Sequence, residues 1–266
     1  MIDHPKKPLA FRGPRNNQGG YTALARCYDI FTKNMDYKKR TEVLCALLSH
    51  CGVNPGDLVL DLACGTGTYT CALLRRGYDV LGVDASPDML QVALEKAQSL
   101  DLAPPLLLCQ RLEDLDLYGT AKAAVCLTDS LNHLTQPARV QRFFKRLALF
   151  LEPGAPFIFD VNTLYKHEHV LAGNAFVYEE KGVFCAWQNH WDSKTRTTEI
   201  NLDIFFEENG VYTRQAECFV ERAYTPGELS AWLNKAGFAV ERICEELTEQ
   251  PPGETAERIF FVCRRN

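Results

Sequence analysis

The 266-residue sequence has no Cys-x-x-Cys pair, no apolar run near the roughly 18 residues needed to cross a bilayer, no internal repeat and no surplus of basic residues. Without paired thiols, a zinc centre built from cysteines is unsupported. The eleven cysteines are odd in number, and several sit in apolar runs such as Ala124-Val125-Cys126-Leu127. There a thiol behaves as a small buried hydrophobe, so reduced cysteines are expected rather than a disulfide framework. The opening Met1-Ile2-Asp3-His4-Pro5 has no apolar signal core, and a cytoplasmic location is expected. Net charge is −5, and Lys6, Lys7, Arg12 and Arg15 form a basic cluster in the opening stretch. That balance argues against a nucleic-acid partner, and the lack of a long apolar run against a membrane one.

What the sequence does contain is an ordinary globular balance, 46% hydrophobic and 24% charged, at a length that suits one large α/β domain. Residues 1–20, rich in Pro, Gly, Asn and Lys, read as a flexible tail, with one domain over 21–266. Leu24, Cys27, Tyr28 and Phe31 form a helical stripe, and Val43, Leu44, Leu47 and Leu48 a second. Leu58 to Ala63 is a short apolar run closed by glycines, the mark of a buried parallel strand. Further strands are expected at 78–84, 106–109, 123–127 and 157–161, with helices at 68–76, 86–100 and 137–151. This alternation implies a parallel sheet covered by helices on both faces. Residues 164–224 break the rhythm: Ile200, Leu202, Ile204 and Phe206 alternate, and Asn209-Gly210 is a strong hairpin signal, so an antiparallel β insert is expected there. Thr225-Pro-Gly-Glu228 has the spacing of a helix capping box, and strands at 238–243 and 258–263 end the chain.

The most informative stretch is Asp61-Leu-Ala63-Cys-Gly65-Thr-Gly67, with Asp84 at the end of the next strand. Glycines after a first strand let backbone approach a ligand, and an acidic residue on the second strand can accept both hydroxyls of a ribose. A nucleoside-bearing cofactor is therefore expected. A dinucleotide fits poorly, because Thr70 occupies the third glycine position and Asp61 would repel phosphate. A carboxylate at that place suits a cofactor with a cationic end, such as S-adenosylmethionine.

With these residues the sequence resembles the class I S-adenosylmethionine-dependent methyltransferases over most of residues 21–161. Tyr21-x-x-Leu-Ala-x-x-Tyr28-Asp, the glycine turn, Gly82-Val-Asp84-Ala-Ser86 and Asp129-Ser-Leu-Asn132-His133-Leu are similar to a small-molecule subgroup that includes sugar N-methyltransferases. Glu217 and Glu221-Arg222-Ala-Tyr224-Thr resemble it more loosely. The resemblance implies a Rossmann-like seven-stranded sheet, five parallel strands plus a reversed C-terminal pair, with the insert after strand five as a substrate lid. S-adenosylmethionine would be the cofactor and S-adenosylhomocysteine its product. The backbone at Ala63, Gly65 and Gly67 would hold the methionine moiety, Asp61 would organise the loop, and Asp84 would bind the ribose. Gln110, Arg111 and Leu112 would border the adenine. Tyr28, Tyr37 and Arg40 would form a lid, and Ala85 and Thr128 would complete the set. Three positions depart from the pattern: Ala63 stands in place of the commonest first glycine, Arg111 of an aspartate, and Lys122 of an acidic residue.

For the acceptor side, His133 follows strand four, where the resemblance places the transferring methyl, and an imidazole there can position or deprotonate an amine or hydroxyl. It could instead cap a helix. Trp187, Trp191, Arg214 and Glu217 are the insert residues expected to meet substrate, although Glu217 and Arg222 could also form an ion pair. His167 and His169, two apart, point in different directions on either a strand or a helix, and no metal site is expected. The function expected is in-line methyl transfer to a small-molecule amine or hydroxyl. The competing readings are a non-catalytic cofactor-binding protein using the insert as a partner surface, and a nicotinamide-dependent oxidoreductase. No motif specifies the acceptor or the oligomeric state.

Overall fold

The computed structural model describes residues 22–245 and 250–266, so the tail expected at residues 1–20 and its basic cluster lie outside the described residues. Two short helices, α1 (Thr22–Ala25) and α2 (Tyr28–Phe31), precede a longer α3 (Tyr37–His50). The first stripe is thus two turns of helix rather than one rod. Cys27 interrupts it, donating its N–H to Leu24 O at 3.0 Å, and both residues are buried in the same core.

The expected alternation follows as β1 (Leu58–Leu62), α4 (Thr68–Leu74), β2 (Asp79–Asp84), α5 (Pro87–Ser99), β3 (Leu106–Cys109), β4 (Ala123–Cys126), α6 (Pro137–Leu149) and β5 (Pro156–Asn162). Ser86 caps α5 by accepting from Met89 N, with Pro87 in its first turn, as the sequence reading expects. The insert is a four-stranded antiparallel meander of β6 (Ala175–Glu180), β7 (Val183–Asp192), β8 (Thr197–Glu208) and β9 (Val211–Arg222). Helix α7 (Pro226–Lys235), started by the full Thr225/Glu228 capping box, leads into β10 (Phe238–Glu245) and β11 (Arg258–Arg265).

The main sheet has the order β10-β11-β5-β4-β1-β2-β3. Strands β3, β2, β1, β4 and β5 are parallel, and β11 runs antiparallel to both β5 and β10, so the reversal in the C-terminal pair is carried by its last strand. Alternation along the strands divides the core. Leu60, Leu62, Phe157 and Phe159 face α6 and α7, while Val59, Val125, Ile158 and Phe260 face α3 and α4. A third cluster packs Ile200, Leu202 and Ile204 of the insert against Ala23 and Leu24 of α1 and Met89 of α5. The first helices are therefore wedged between the insert and α5. Strand order reverses direction between β1 and β4, the position where a parallel sheet opens a crevice at its carboxyl ends. All eleven cysteines are free thiols.

Candidate active site

A cavity of about 800 Å³ occupies that crevice, with the insert as its opposite wall. This is the size class of a cofactor-plus-substrate pocket. One side is built by the turn after β1. Ala63, Gly65 and Gly67 all take positive φ, at 54°, 54° and 73°. Ala63 adopts the left-handed region even without being glycine, which costs about 1–2 kcal/mol. A Cβ on Gly65 would meet nothing within 4 Å, so its backbone faces open space, whereas one on Gly67 would lie 2.7 Å from Ala93 Cβ. Gly65 therefore serves the cavity and Gly67 the packing of α4 on α5. Ala63 and Gly65 are on the cavity wall; Gly67 is not.

Asp84 also reaches the wall, where its Oδ2 accepts from Gly65 N and its Oδ1 from Ser86 N, each at 2.8 Å. A carboxylate has about four lone-pair sites, so room remains for two hydroxyl donors. Asp61, by contrast, lies behind the turn rather than on the wall, accepting from Thr70 Oγ1 at 2.5 Å. Burial pushes its carboxyl up to about 7. It braces the loop through α4 and does not itself face a ligand. The crevice thus fits a ribose-bearing cofactor at Asp84, with the carboxylate expected for a cationic tail set one layer back.

Ala85, Gln110, Arg111, Leu112 and Thr128 line the cavity where β2, β3 and β4 end. Gln110 Nε2 donates to Asp116 O, and its Oε1 accepts from Asp116 N, so its amide pins the following loop. Tyr28 and Tyr37 come from the N-terminal helices to the wall, whereas Arg40, on α3, does not reach it. Burial raises both tyrosine hydroxyls above their ordinary value.

The acceptor side differs more from expectation. Trp187 lines the cavity, but Trp191 packs against His167, ring centroids 5.6 Å apart. Arg214 points to the outer surface and pairs with Asp203. Glu217 accepts from Ala23 N at 2.5 Å and Leu24 N at 2.8 Å, clasping α1 to the insert. The reason is strand length: at about 3.4 Å per residue, only the last residues of β9 extend over the crevice. Arg222 stacks over Tyr224.

Phe219 and Glu221, at that end of β9, do line the cavity and escaped the sequence reading as site residues. Their signal was period-two spacing from Glu217 on one strand face. His133 stands on the wall with its side chain 31% exposed, its Nε2 3.8 Å from Glu221 Oε1. Burial lowers the His133 imidazole against the pull of Asp129. Thr128 and Asp129 both take positive φ, at 59° and 52°, a strain of roughly 1–3 kcal/mol each. Arg258 of β11 holds this bend by pairing with both Asp129 and the fully buried Asp160. Opposite charges inside two apolar strands, Asp160 in one and Arg258 in the other, were the sequence signal for that bridge. Lys166, in a π-helical turn at Lys166–Leu171, adds a further unforeseen wall residue and donates to Asn162 Oδ1 at 3.0 Å.

A family profile described as "Methyltransferase domain" matches residues 59–154, which span β1 to the start of the β5 approach. A Geobacillus sp. (strain WCH70) protein named "Putative methyltransferase" is 28% identical over 246 residues, covering 92% of this chain and 99% of its own. The crystal structure of an S-adenosylmethionine-dependent methyltransferase from Clostridium acetobutylicum superposes with a TM-score of 0.84 at 28% identity, covering 92% of this chain and 99% of that one. The sugar N-methyltransferase KedS8 from Streptoalloteichus shares the fold, with a TM-score of 0.73 at 21% identity over 96% and 98% of the two chains.

Proposed function

We propose that this chain, an S-adenosylmethionine-dependent methyltransferase, transfers the methyl group to an amine or hydroxyl of a small molecule enclosed between the main sheet and the insert. The observation that carries the reading is that one cavity has both walls: the glycine turn and Asp84 on one side, His133, Trp187 and Phe219 on the other. When bound, S-adenosylmethionine supplies an electrophilic methyl on a good sulfur leaving group. Asp84 binds the two ribose hydroxyls, the Gly65 backbone approaches the methionine portion, and Ala85 and Gln110–Leu112 border the adenine. Tyr28 and Tyr37 close over this end, excluding water.

The insert's part is alignment. Holding acceptor and donor in line supplies up to ~7–11 kcal/mol in favourable intramolecular models, so His133 need act only as a positioning group or modest base. The aromatic wall of Tyr178, Trp187 and Phe219 supports an acceptor with an apolar face, and an amino-sugar-like acceptor agrees with the shared fold of the sugar N-methyltransferase.

Incubating the protein with methyl-labelled S-adenosylmethionine and a panel of amines, amino sugars and phenols tests this directly. Label on at least one member is expected, with His133→Ala lowering turnover at nearly unchanged cofactor affinity. Tight cofactor binding with no transfer to any member would contradict it.

A further inference from the structure

Among the carboxyl groups on the cavity wall, Glu221 is the exception. Asp84 accepts from two backbone N–H groups, Glu113 is paired with Arg139, and Asp129 with Arg258. The Glu221 side chain is 5% exposed, and its hydrogen-bonding neighbour is the neutral amide of Asn162, at 3.3 Å from Oε2. Beyond that it lies between two imidazoles: His133 Nε2 is 3.8 Å from Oε1, and His167 Nε2, buried and without a hydrogen-bond partner, is 3.9 Å from Oε2. His167 is fixed from behind by Thr198 Oγ1 at 2.7 Å. Both distances exceed a hydrogen bond.

We propose that Glu221 and His133 together hold the nitrogen of a cationic amine acceptor and take up its proton, so that this chain methylates nitrogen rather than oxygen. The inference rests on the small-molecule methyl-transfer reading above and narrows it. A buried carboxyl without a cationic partner is costly, and an ammonium brought by the substrate supplies one. The gap has the right width: a nitrogen at about 2.9 Å from each of two acceptors 3.8 Å apart sits between Oε1 and Nε2. It needs two N–H bonds to satisfy both, which an amine has and a hydroxyl lacks. Phe219, its ring 5.3 Å from His133, gives the same subsite an aromatic face for the cation.

The proton balance follows. The bound ammonium loses one N–H proton to Glu221, which frees the nitrogen lone pair. That nitrogen bonds the methyl carbon as the carbon–sulfur bond breaks and leaves its electron pair on sulfur. The second proton, shed by the methylated nitrogen, leaves through His133 at the cavity rim.

The titratable and charged groups around Glu221 are Asp129 and His133 after β4, Lys166 and His167 in the π-helical turn, and Arg258 on β11. Arg258 pairs with Asp129 and Asp160, and Lys166 is 3.0 Å from Asn162 Oδ1. Burial, with Asp129 adding to it, pushes Glu221 up to about 8. Methyl transfer therefore rises with pH as the carboxyl ionises.

Two measurements test the proposal. In the cofactor-free protein, the His133 ring C–H resonance should show an inflection near pH 8, where Glu221 titrates, and Glu221→Gln should remove it without a comparable loss of melting temperature. A His133 resonance that titrates identically in a folded Glu221→Gln variant would overturn the pairing. In the loaded enzyme, matched amines and alcohols on the same carbon skeletons are offered as acceptors. Transfer to the amines is expected, with kcat falling ~100-fold or more in Glu221→Gln and the rising pH limb lost. Transfer to the alcohols alone would overturn the nitrogen assignment while leaving small-molecule methyl transfer intact, and transfer to neither series would defeat both.

Discussion

Every residue of β5 is buried, whereas β6 leaves alternate residues in solvent and the first four residues of β9 are exposed. The main sheet is covered on both faces and has its own core against four helices. The insert buries one face only, and that face rests on the short N-terminal helices. The wall proposed for the cofactor is therefore part of a fully buried platform, and the wall proposed for the acceptor is a half-solvated sheet resting on the short N-terminal helices. On the proposed reading, cofactor binding and acceptor choice fall to parts that differ in how far they are buried.

The sharpest way to break this contrast is at the seam. Arg258→Ala leaves Asp129 and the fully buried Asp160 without their shared cation, and we expect a loss of about 3–5 kcal/mol in urea unfolding. A cost comparable to that of an exposed ion pair would show that the bridge does not hold the platform.

Asp61 tests the platform through pH. Its folded carboxyl holds a proton up to about 7, against 3.8 for the ordinary group, so between those values the unfolded chain has released a proton that the folded chain keeps. Stability must then fall as pH rises through the window, by up to ~1.4 kcal/mol per unit from this group. Asp61→Asn should flatten that slope in melts taken across the same range, and an unchanged slope would show that Asp61 is ionised when folded.

Asp84→Ala should weaken S-adenosylhomocysteine by about 1.5–3 kcal/mol, the scale of hydrogen bonds to a charged group. Unchanged calorimetric affinity would place the ribose elsewhere. Glu217→Ala addresses the fastening of the insert. Removing the carboxylate that accepts from Ala23 and Leu24 should speed amide hydrogen exchange in α1 while changing global stability by only about 1 kcal/mol. An equal effect across the main sheet would show that the two regions unfold as one.

The same contrast explains what could be read from the sequence. The platform is encoded locally: apolar runs bounded by glycine and proline mark β1 to β5, and Asp61, Gly65, Gly67 and Asp84 belong to two consecutive strand ends. The antiparallel character of the insert, though not its number of strands, was also visible in outline, through Ile200 to Phe206 and Asn209-Gly210. The acceptor wall was not. Glu221, Lys166 and Arg258 meet only through the pairing of β11 with β5 and the placement of β9 over the crevice, and no short-range pattern specifies either. Trp191, Arg214 and Glu217 carry fitting side-chain chemistry, but strand register turns them away from the cavity. The π-helical turn that carries Lys166 and His167 has no periodic signature at all.

We propose above all that the turn after β1 and Asp84 cradle an adenosine joined to an amino-acid tail. Isothermal titration of the full chain with S-adenosylhomocysteine and, separately, with NADH tests it most directly. Saturable heat with S-adenosylhomocysteine at one site per chain and none with NADH is the predicted result; saturable heat with NADH alone would contradict the account.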